Sequence, residues 1–261
     1  MEFFRIAKDN RVAIVTIDKP PANTLDFALY DEITSLVGQL EGDDSVRAVV
    51  VASAHPKLFI SGADIKDMES YDRSPGPMTE RVHKAQSTFL RLQRLSKPTV
   101  GAITGHALGG GCEFALCLDF RVMMRGGPTI GLPEVNLGLV PGGGGTQRLS
   151  RLVGRGKALE LLMLGSRLDA DEALAAGLVT SVGSDSEETM SQARRLAARL
   201  ADQAPLAVRL IKQAVNEGLD GDLDRGLRLE RTAVVKALLS DDSREGVAAF
   251  LAKRPPRFEG R

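Results

Sequence analysis

The chain of 261 residues is poor in several things that mark protein classes: two cysteines, three histidines, 4% aromatic side chains and no net charge, with 34 basic residues against 34 acidic. Each shortage excludes something. Cys112 and Cys117 fall on an expected helix, about 140° apart around its axis at ~100° per residue, which argues against a mutual disulfide and leaves them as small core residues. His55, His83 and His106 are scattered, with no HExxH pair and no Cys/His cluster, so a metal site has little support. Cancelling charges remove the global positive field that gathers nucleic acid. No apolar run approaches the ~20 residues that span a bilayer, and the amino terminus enters a strand-like pattern (Phe3 to Val15) with no signal or transit segment. A globular protein of the cytoplasm is the expectation. The GxSxG elbow, the GxxxxGK(S/T) phosphate loop and GxGxxG are absent too, which weakens serine hydrolase, nucleotide hydrolase and dinucleotide readings together.

What is present is an alternating α/β pattern. At 43% apolar the chain can bury a sizeable core at the upper end of single-domain length. Val12 to Ile17 and Val46 to Ala52 read as strands, the second so uniformly apolar that both of its faces should be buried. Between them Leu29, Ile33, Leu36, Val37 and Leu40 mark an amphipathic helix. Thr99 to Ile103 and Arg121 to Met124 read as further strands. Beyond Arg155 the chain turns helical: Pro205 opens one helix, Gly218 closes it, and Asp242 with Glu245 resembles a capping box for the last. Tyr71 to Met78, with two prolines and a glycine, reads as a surface loop or lid, and Gly183 to Glu188 as a polar connection.

Two glycine-flanked glutamates carry the chemical signal. Glu113 closes ALGGGCE, in the first turn of a helix that otherwise reads as buried, and Glu134 sits in IGLPEVNLGLVPGGGG. An isolated Gly-Gly-Gly is usually a flexible turn, and an isolated glutamate a solvated face or a charge favoured by a helix dipole. The setting argues otherwise, because a charge in an apolar helix is costly without a purpose. Two nearby carboxylates tune one another, and a glycine turn can present bare N–H donors to a substrate oxygen. The pattern describes an acid/base pair beside an oxyanion hole.

Four stretches carry a resemblance: LFISGADIKDM (Leu58 to Met68), KPTVGAITGHALGGGCEFAL (Lys97 to Leu116), IGLPEVNLGLVPGGGGTQRLSRLVG (Ile130 to Gly154) and FLAKRPPRF (Phe250 to Phe258). In order and spacing they resemble the crotonase superfamily, the enoyl-CoA hydratase/isomerase group. The resemblance implies an α/β crotonase-like spiral of β-β-α units with a helical C-terminal region. It divides the chain into a core of residues 1–190, holding the coenzyme A and catalytic site, and a C-terminal helical oligomerisation region of residues 191–261, assembled as a homotrimer or homohexamer. The implied function is reversible hydration of trans-2-enoyl-CoA to 3-hydroxyacyl-CoA, a hydro-lyase reaction of fatty-acid β-oxidation or related acyl-CoA degradation. No metal or redox cofactor is implied, coenzyme A being part of the substrate.

The resemblance also assigns roles. Backbone N–H groups of Ala63 and Gly110 match the oxyanion-hole donors, Glu113 and Glu134 the two hydratase carboxylates, and the Gly142 N–H a group that orients the water. Ala63, Asp64, Ile65 and Lys66 would line the coenzyme A entrance. Phe250 and Lys253 match positions that reach the coenzyme A of a neighbouring subunit. One stretch departs from the family: where many members carry a basic residue near the coenzyme A phosphates, this chain reads KPPANTLD, with Pro20 and Pro21 there, and leaves open whether Lys19 replaces it. An enoyl-CoA isomerase, using one glutamate to move a proton between carbons, is the alternative reaction. A non-catalytic RNA-binding or scaffold protein is the alternative of another class, against which the balanced charge and the paired glutamates argue.

Overall fold

The computed structural model describes residues 1–261, with the side chains of Lys66 and Asp67 excepted. Lys66, expected at the coenzyme A entrance, therefore lies outside the described residues. Twelve strands are formed: β1 (Phe4–Asp9), β2 (Val12–Ile17), β3 (Thr24–Leu25), β4 (Ala48–Ser53), β5 (Leu58–Ile60), β6 (Gly62–Ala63), β7 (Thr99–Ile103), β8 (His106–Leu108), β9 (Phe120–Met124), β10 (Ile130–Gly131), β11 (Arg167–Leu168) and β12 (Ser181–Gly183). The helices are α1 (Phe27–Glu41), α2 (Ile65–Glu69), α3 (Pro75–Gln93), α4 (Gly110–Leu116), α5 (Gly145–Val153), α6 (Arg155–Leu164), α7 (Ala170–Ala175), α8 (Ser186–Ala201), α9 (Pro205–Gly218), α10 (Leu223–Leu238) and α11 (Asp241–Leu251), with a 3₁₀ helix over Glu134–Leu137.

The large sheet runs β1-β2-β4-β7-β9-β12, and a second sheet runs β11-β10-β8-β5. In the large sheet only the β1–β2 hairpin is antiparallel. Strand β4 explains its own composition. Val49 and Val51 enter the main core with Leu29, Ile33 and Phe59, while Ala48, Val50 and Ala52 face the other way, against Ala193, Ala197 and Ala201 of α8. Both faces are buried, as a parallel central strand requires. Small alanines on α8 let it lie close to the sheet. Helix α1 buries the five expected residues, and its N-cap Asp26 accepts the Leu29 N–H at 2.9 Å; each buried aliphatic side chain contributes about 1.5–3 kcal/mol.

Three sequence readings need correction. The boundary expected at 190/191 falls inside α8, whose alanine face belongs to the sheet's core. The segment expected as a loop from Tyr71 to Met78 becomes helical at Pro75, because proline is tolerated in the first turn of a helix and the run behind it buries Ala85, Thr88, Phe89 and Leu92. Asp242 does not cap α11: Ser240 does, accepting the Ser243 N–H at 3.0 Å. The buried Asp242 carboxylate instead accepts the N–H groups of Glu259 and Gly260 at 2.7 and 2.8 Å, and Glu245 pairs with Arg254. Lys19, whose part at the phosphates the sequence leaves open, is committed inside the chain: its ammonium meets Asp26 Oδ2 at 2.7 Å and the Thr24 carbonyl at 3.0 Å.

The connection from β7 through β8 into α4 positions the site. Gly109, with φ of 54°, turns the chain into α4, and Gly111 lets that helix press against β5. A Cβ on Gly111 would lie 2.0 Å from the Ile60 carbonyl oxygen, a backbone atom that cannot rotate away. Gly111→Ala should therefore cost about 1–3 kcal/mol as overpacking, lowering Tm by roughly 3 °C or more. A thermal melt matching the parent would show that α4 does not lie so close.

Candidate active site

Glu113 enters the site from the first turn of α4, in a helix of which six of seven residues are buried. Its residue is only 4% exposed. Burial of a carboxylate away from water raises its pKa, and burial is the largest influence on Glu113, so the group sits above its ordinary value. Three backbone N–H groups oppose this. Gly145 donates to Glu113 Oε1 at 2.8 Å, and the N–H groups of Gly143 and Gly144 also favour the ionised form. Gly145 is the first residue of α5 and Gly144 its N-cap. The carboxylate is thus seated on a helix N-terminus, where free N–H groups and the helix dipole both favour negative charge.

Glu134 approaches from the opposite side, on the 3₁₀ helix that follows β10. Its Oε1 lies beside Gly109, 3.4 Å from where a Cβ on that residue would be, and its Oε2 is buried without a hydrogen-bond partner among the described residues. Burial pushes its pKa up, the negative charge of Glu113 adds to the rise, and the result is a value of about 7. Two carboxyl groups with raised and mutually dependent affinities for a proton stand here. Tyr30 of α1 and the thiols of Cys112 and Cys117 face the same region and are held neutral, their pKa values raised first by burial and then by Glu113.

Beside the carboxylates, two N–H-bearing turns run together. A Cβ on Gly110 would lie 3.7 Å from the Ala63 nitrogen, and one on Gly62 would lie 3.4 Å from the Gly110 nitrogen. Gly110 is the first residue of α4, so its N–H has no acceptor within the helix. Ala63 is exposed and Gly110 half-buried, so the two turns border solvent. Asp64 and Ile65 continue from Ala63 at the start of α2, with Ile65 exposed at 61%.

The structure therefore gathers Ala63, Gly110, Glu113 and Glu134 into one place. Gly142 lies at its edge, next to Val82 and Gln86 of α3, with its carbonyl accepting from the Gln86 amide at 3.0 Å. Phe250 and Lys253 lie apart from it: Phe250 is 83% exposed on α11, and Lys253 follows that helix with φ of 52°. Sequence reading missed the role of Gly143, Gly144 and Gly145 as the seat of Glu113. The available signal was glycine followed by a helix start, a ready-made anion site. Among the described residues no group of three His, Cys, Asp or Glu side chains could hold a metal ion, and no helix is long and apolar enough to cross a membrane.

Comparison with known proteins identifies the family. The family model for enoyl-CoA hydratase/isomerase matches residues 7–261. A short-chain-enoyl-CoA hydratase of Clostridium acetobutylicum is 40% identical over 98% of this chain and 96% of its own length. A crotonyl-CoA hydratase of Syntrophomonas wolfei is 38% identical over 97% and 96%. The crystal structure of an enoyl-CoA hydratase from Bacillus anthracis superposes with a TM-score of 0.92 at 34% identity, covering 99% of this chain and 100% of that one. Carboxylates, donor turns and two-sheet core thus occur in a chain that belongs, along nearly its whole length, to the enoyl-CoA hydratase/isomerase family.

Proposed function

We propose that this chain adds water reversibly across the double bond of a short trans-2-enoyl-CoA, giving the 3-hydroxyacyl-CoA. The observation that carries the reading is the pair of raised carboxyl groups beside the converging backbone turns of Ala63 and Gly110. The thioester carbonyl would accept hydrogen bonds from the Ala63 and Gly110 N–H groups. As water attacks Cβ, the thioester oxygen gains enolate charge, and fixed donors stabilise that charge without reorganising. Glu113, ionised on the N-terminus of α5, takes the proton of the attacking water. Glu134, protonated, delivers its proton to Cα, and the Gly142 N–H orients the water. Coenzyme A enters as part of the substrate, and no step uses a metal or redox group. The relatives named for short-chain and crotonyl substrates support a short acyl group.

In this reading the pair carries one proton in both directions: on Glu134 before hydration, on Glu113 before dehydration. The overall equilibrium takes up and releases no protons. The pH profiles of kcat/KM for the two directions therefore coincide whatever the mechanism, and their shape reports the protonation of the free enzyme. Both should fall as pH rises through about 7, where Glu134 loses its proton in the free enzyme. A profile for crotonyl-CoA hydration that stays flat as pH rises through about 7 would sink the shared-proton mechanism.

Glu113→Gln and Glu134→Gln should each leave the fold intact and slow hydration by about 10² to 10⁴, the range for a lost proton-transfer group. Near-parent turnover in either folded variant removes the mechanism. A Glu113 variant that has lost hydration yet still shifts a double bond along the acyl chain would favour the isomerase.

The assembly proposed is a homotrimer or homohexamer in which α11 reaches a neighbour's coenzyme A. In support, α10 buries none of its residues, while Leu223, Leu238, Leu239, Phe250 and Leu251 are each at least 65% exposed, more apolar surface than a monomer ordinarily leaves in water. Lys253→Ala should raise KM for crotonyl-CoA, spare the crotonyl thioester of pantetheine, and lose its effect as salt rises. Equal KM changes for both thioesters would place Lys253 away from the coenzyme A phosphates.

A further inference from the structure

The seat of Glu113 is held from behind by a side chain outside the four residues gathered above. Arg148, one turn into α5, sends its Nη1 to the Gly143 carbonyl oxygen at 2.7 Å and its Nε to Gln93 Oε1, at the end of α3, at 2.8 Å. Contact with the turn is close. Gly144 has φ of 107°, and a Cβ there would lie 2.2 Å from Arg148 Nη1; a Cβ on Gly143 would lie 2.6 Å from Glu113 Oε2 and 2.8 Å from the Phe89 ring. The glycine backbone is sandwiched between guanidinium and carboxylate.

One peptide unit joins the two. The Gly143 carbonyl and the Gly144 N–H belong to the same plane and, in a trans peptide, point in opposite directions. Arg148 holds the carbonyl end, and the N–H end favours ionised Glu113. A cation bonded to the carbonyl also polarises the peptide, which strengthens the opposite N–H as a donor. We propose that Arg148 is a positioning residue for the hydration: by gripping the Gly143 carbonyl from α5 and Gln93 from α3, it fixes the glycine turn from which the Gly145 N–H donates to Glu113 Oε1 at 2.8 Å. This rests on the two-glutamate reading above.

The sign of its effect follows from the groups around Glu113. Those that face it are Glu134, Tyr30, Cys112, Cys117 and Arg148. Arg148 is the one cation among them and lowers the pKa of Glu113. Glu113 acts in its ionised form, so activity is present above its pKa and lost as pH falls through it. Removing the cation and the donor geometry raises that pKa and moves the acidic limb of the profile to higher pH. Arg148 borders a cleft lined by Gln93, Arg151, Asn216 and Asp220, so truncation opens onto that cleft rather than leaving a sealed void.

The test measures kcat, KM and the pH profile of kcat/KM for crotonyl-CoA in Arg148→Met, Arg148→Lys, Gln93→Leu and Glu113→Gln. In Arg148→Met, kcat should fall about tenfold or more, as for a displaced reacting group, with KM within about twofold because substrate is not touched. Its acidic limb should move to higher pH. Arg148→Lys keeps the charge but lacks the planar fork that serves Gly143 and Gln93 together, so its limb should move less. Gln93→Leu should move it in the same direction through the loosened guanidinium. A folded Arg148→Met with the parent's limb overturns the proposal. If that variant does not fold, parent-like limbs in both Arg148→Lys and Gln93→Leu overturn it. Near-parent turnover in Glu113→Gln would instead overturn the two-glutamate reading, so the two failures are distinct.

Discussion

The rest of the site depends on one act of burial: a carboxylate, Glu113, taken out of water and set on the N-terminus of a neighbouring helix. Burial alone would leave that group neutral or eject it. Donors from the turn into α5 hold it in place, with Gly145 at 2.8 Å from Oε1. Their spacing has no room for side chains, since Cβ atoms on Gly143 or Gly145 would meet the carboxylate oxygens at 2.6 and 3.0 Å. The glycines are therefore an electrostatic device. They let peptide dipoles reach a charge that side chains would shield.

A second constraint joins the two sheets to the chemistry. Strands β5 and β8 pair within the small sheet and lead directly into the donor turns at Ala63 and Gly110. Register between those strands therefore fixes the spacing of the two N–H groups, and the contact of Gly111 with Ile60 fixes how deep α4 can sit. In the proposed reaction, donors borrowed from backbone would inherit the rigidity of the fold, which is what preorganised stabilisation of a developing charge needs.

How much of this could be read in the chain depends on the range of each interaction. The apolar spacing Leu29, Ile33, Leu36, Val37, Leu40 gave α1, and the unbroken apolar run gave β4, because both patterns record burial within a few residues. Glu113 was legible as a charge in an apolar helix. Helix α3 was hidden by its Pro-Gly-Pro opening, although Ala85, Thr88, Phe89 and Leu92 carry helical spacing. Asp242 looked like part of a cap, but its partners are 17 and 18 residues away. The sequence left the part of Lys19 open, and a carboxylate seven residues on claims it. Arg148 and Gln93 are 55 residues apart, and nothing local hints that they clamp the same turn.

The orphaned Oε2 of Glu134 has a consequence for the molecule as a whole. A carboxyl group whose pKa is higher in the folded chain than its ordinary 4.5 binds its proton more tightly when folded, so unfolding releases that proton. Its contribution to stability is fully present below the unfolded value and disappears as pH rises through about 7. Glu113, raised in the same direction, adds to the trend. The two carboxyl groups therefore pull apart: protonation at Glu134 suits both the fold and the proposed hydration, whereas the ionised Glu113 which that hydration requires is the form the fold resists.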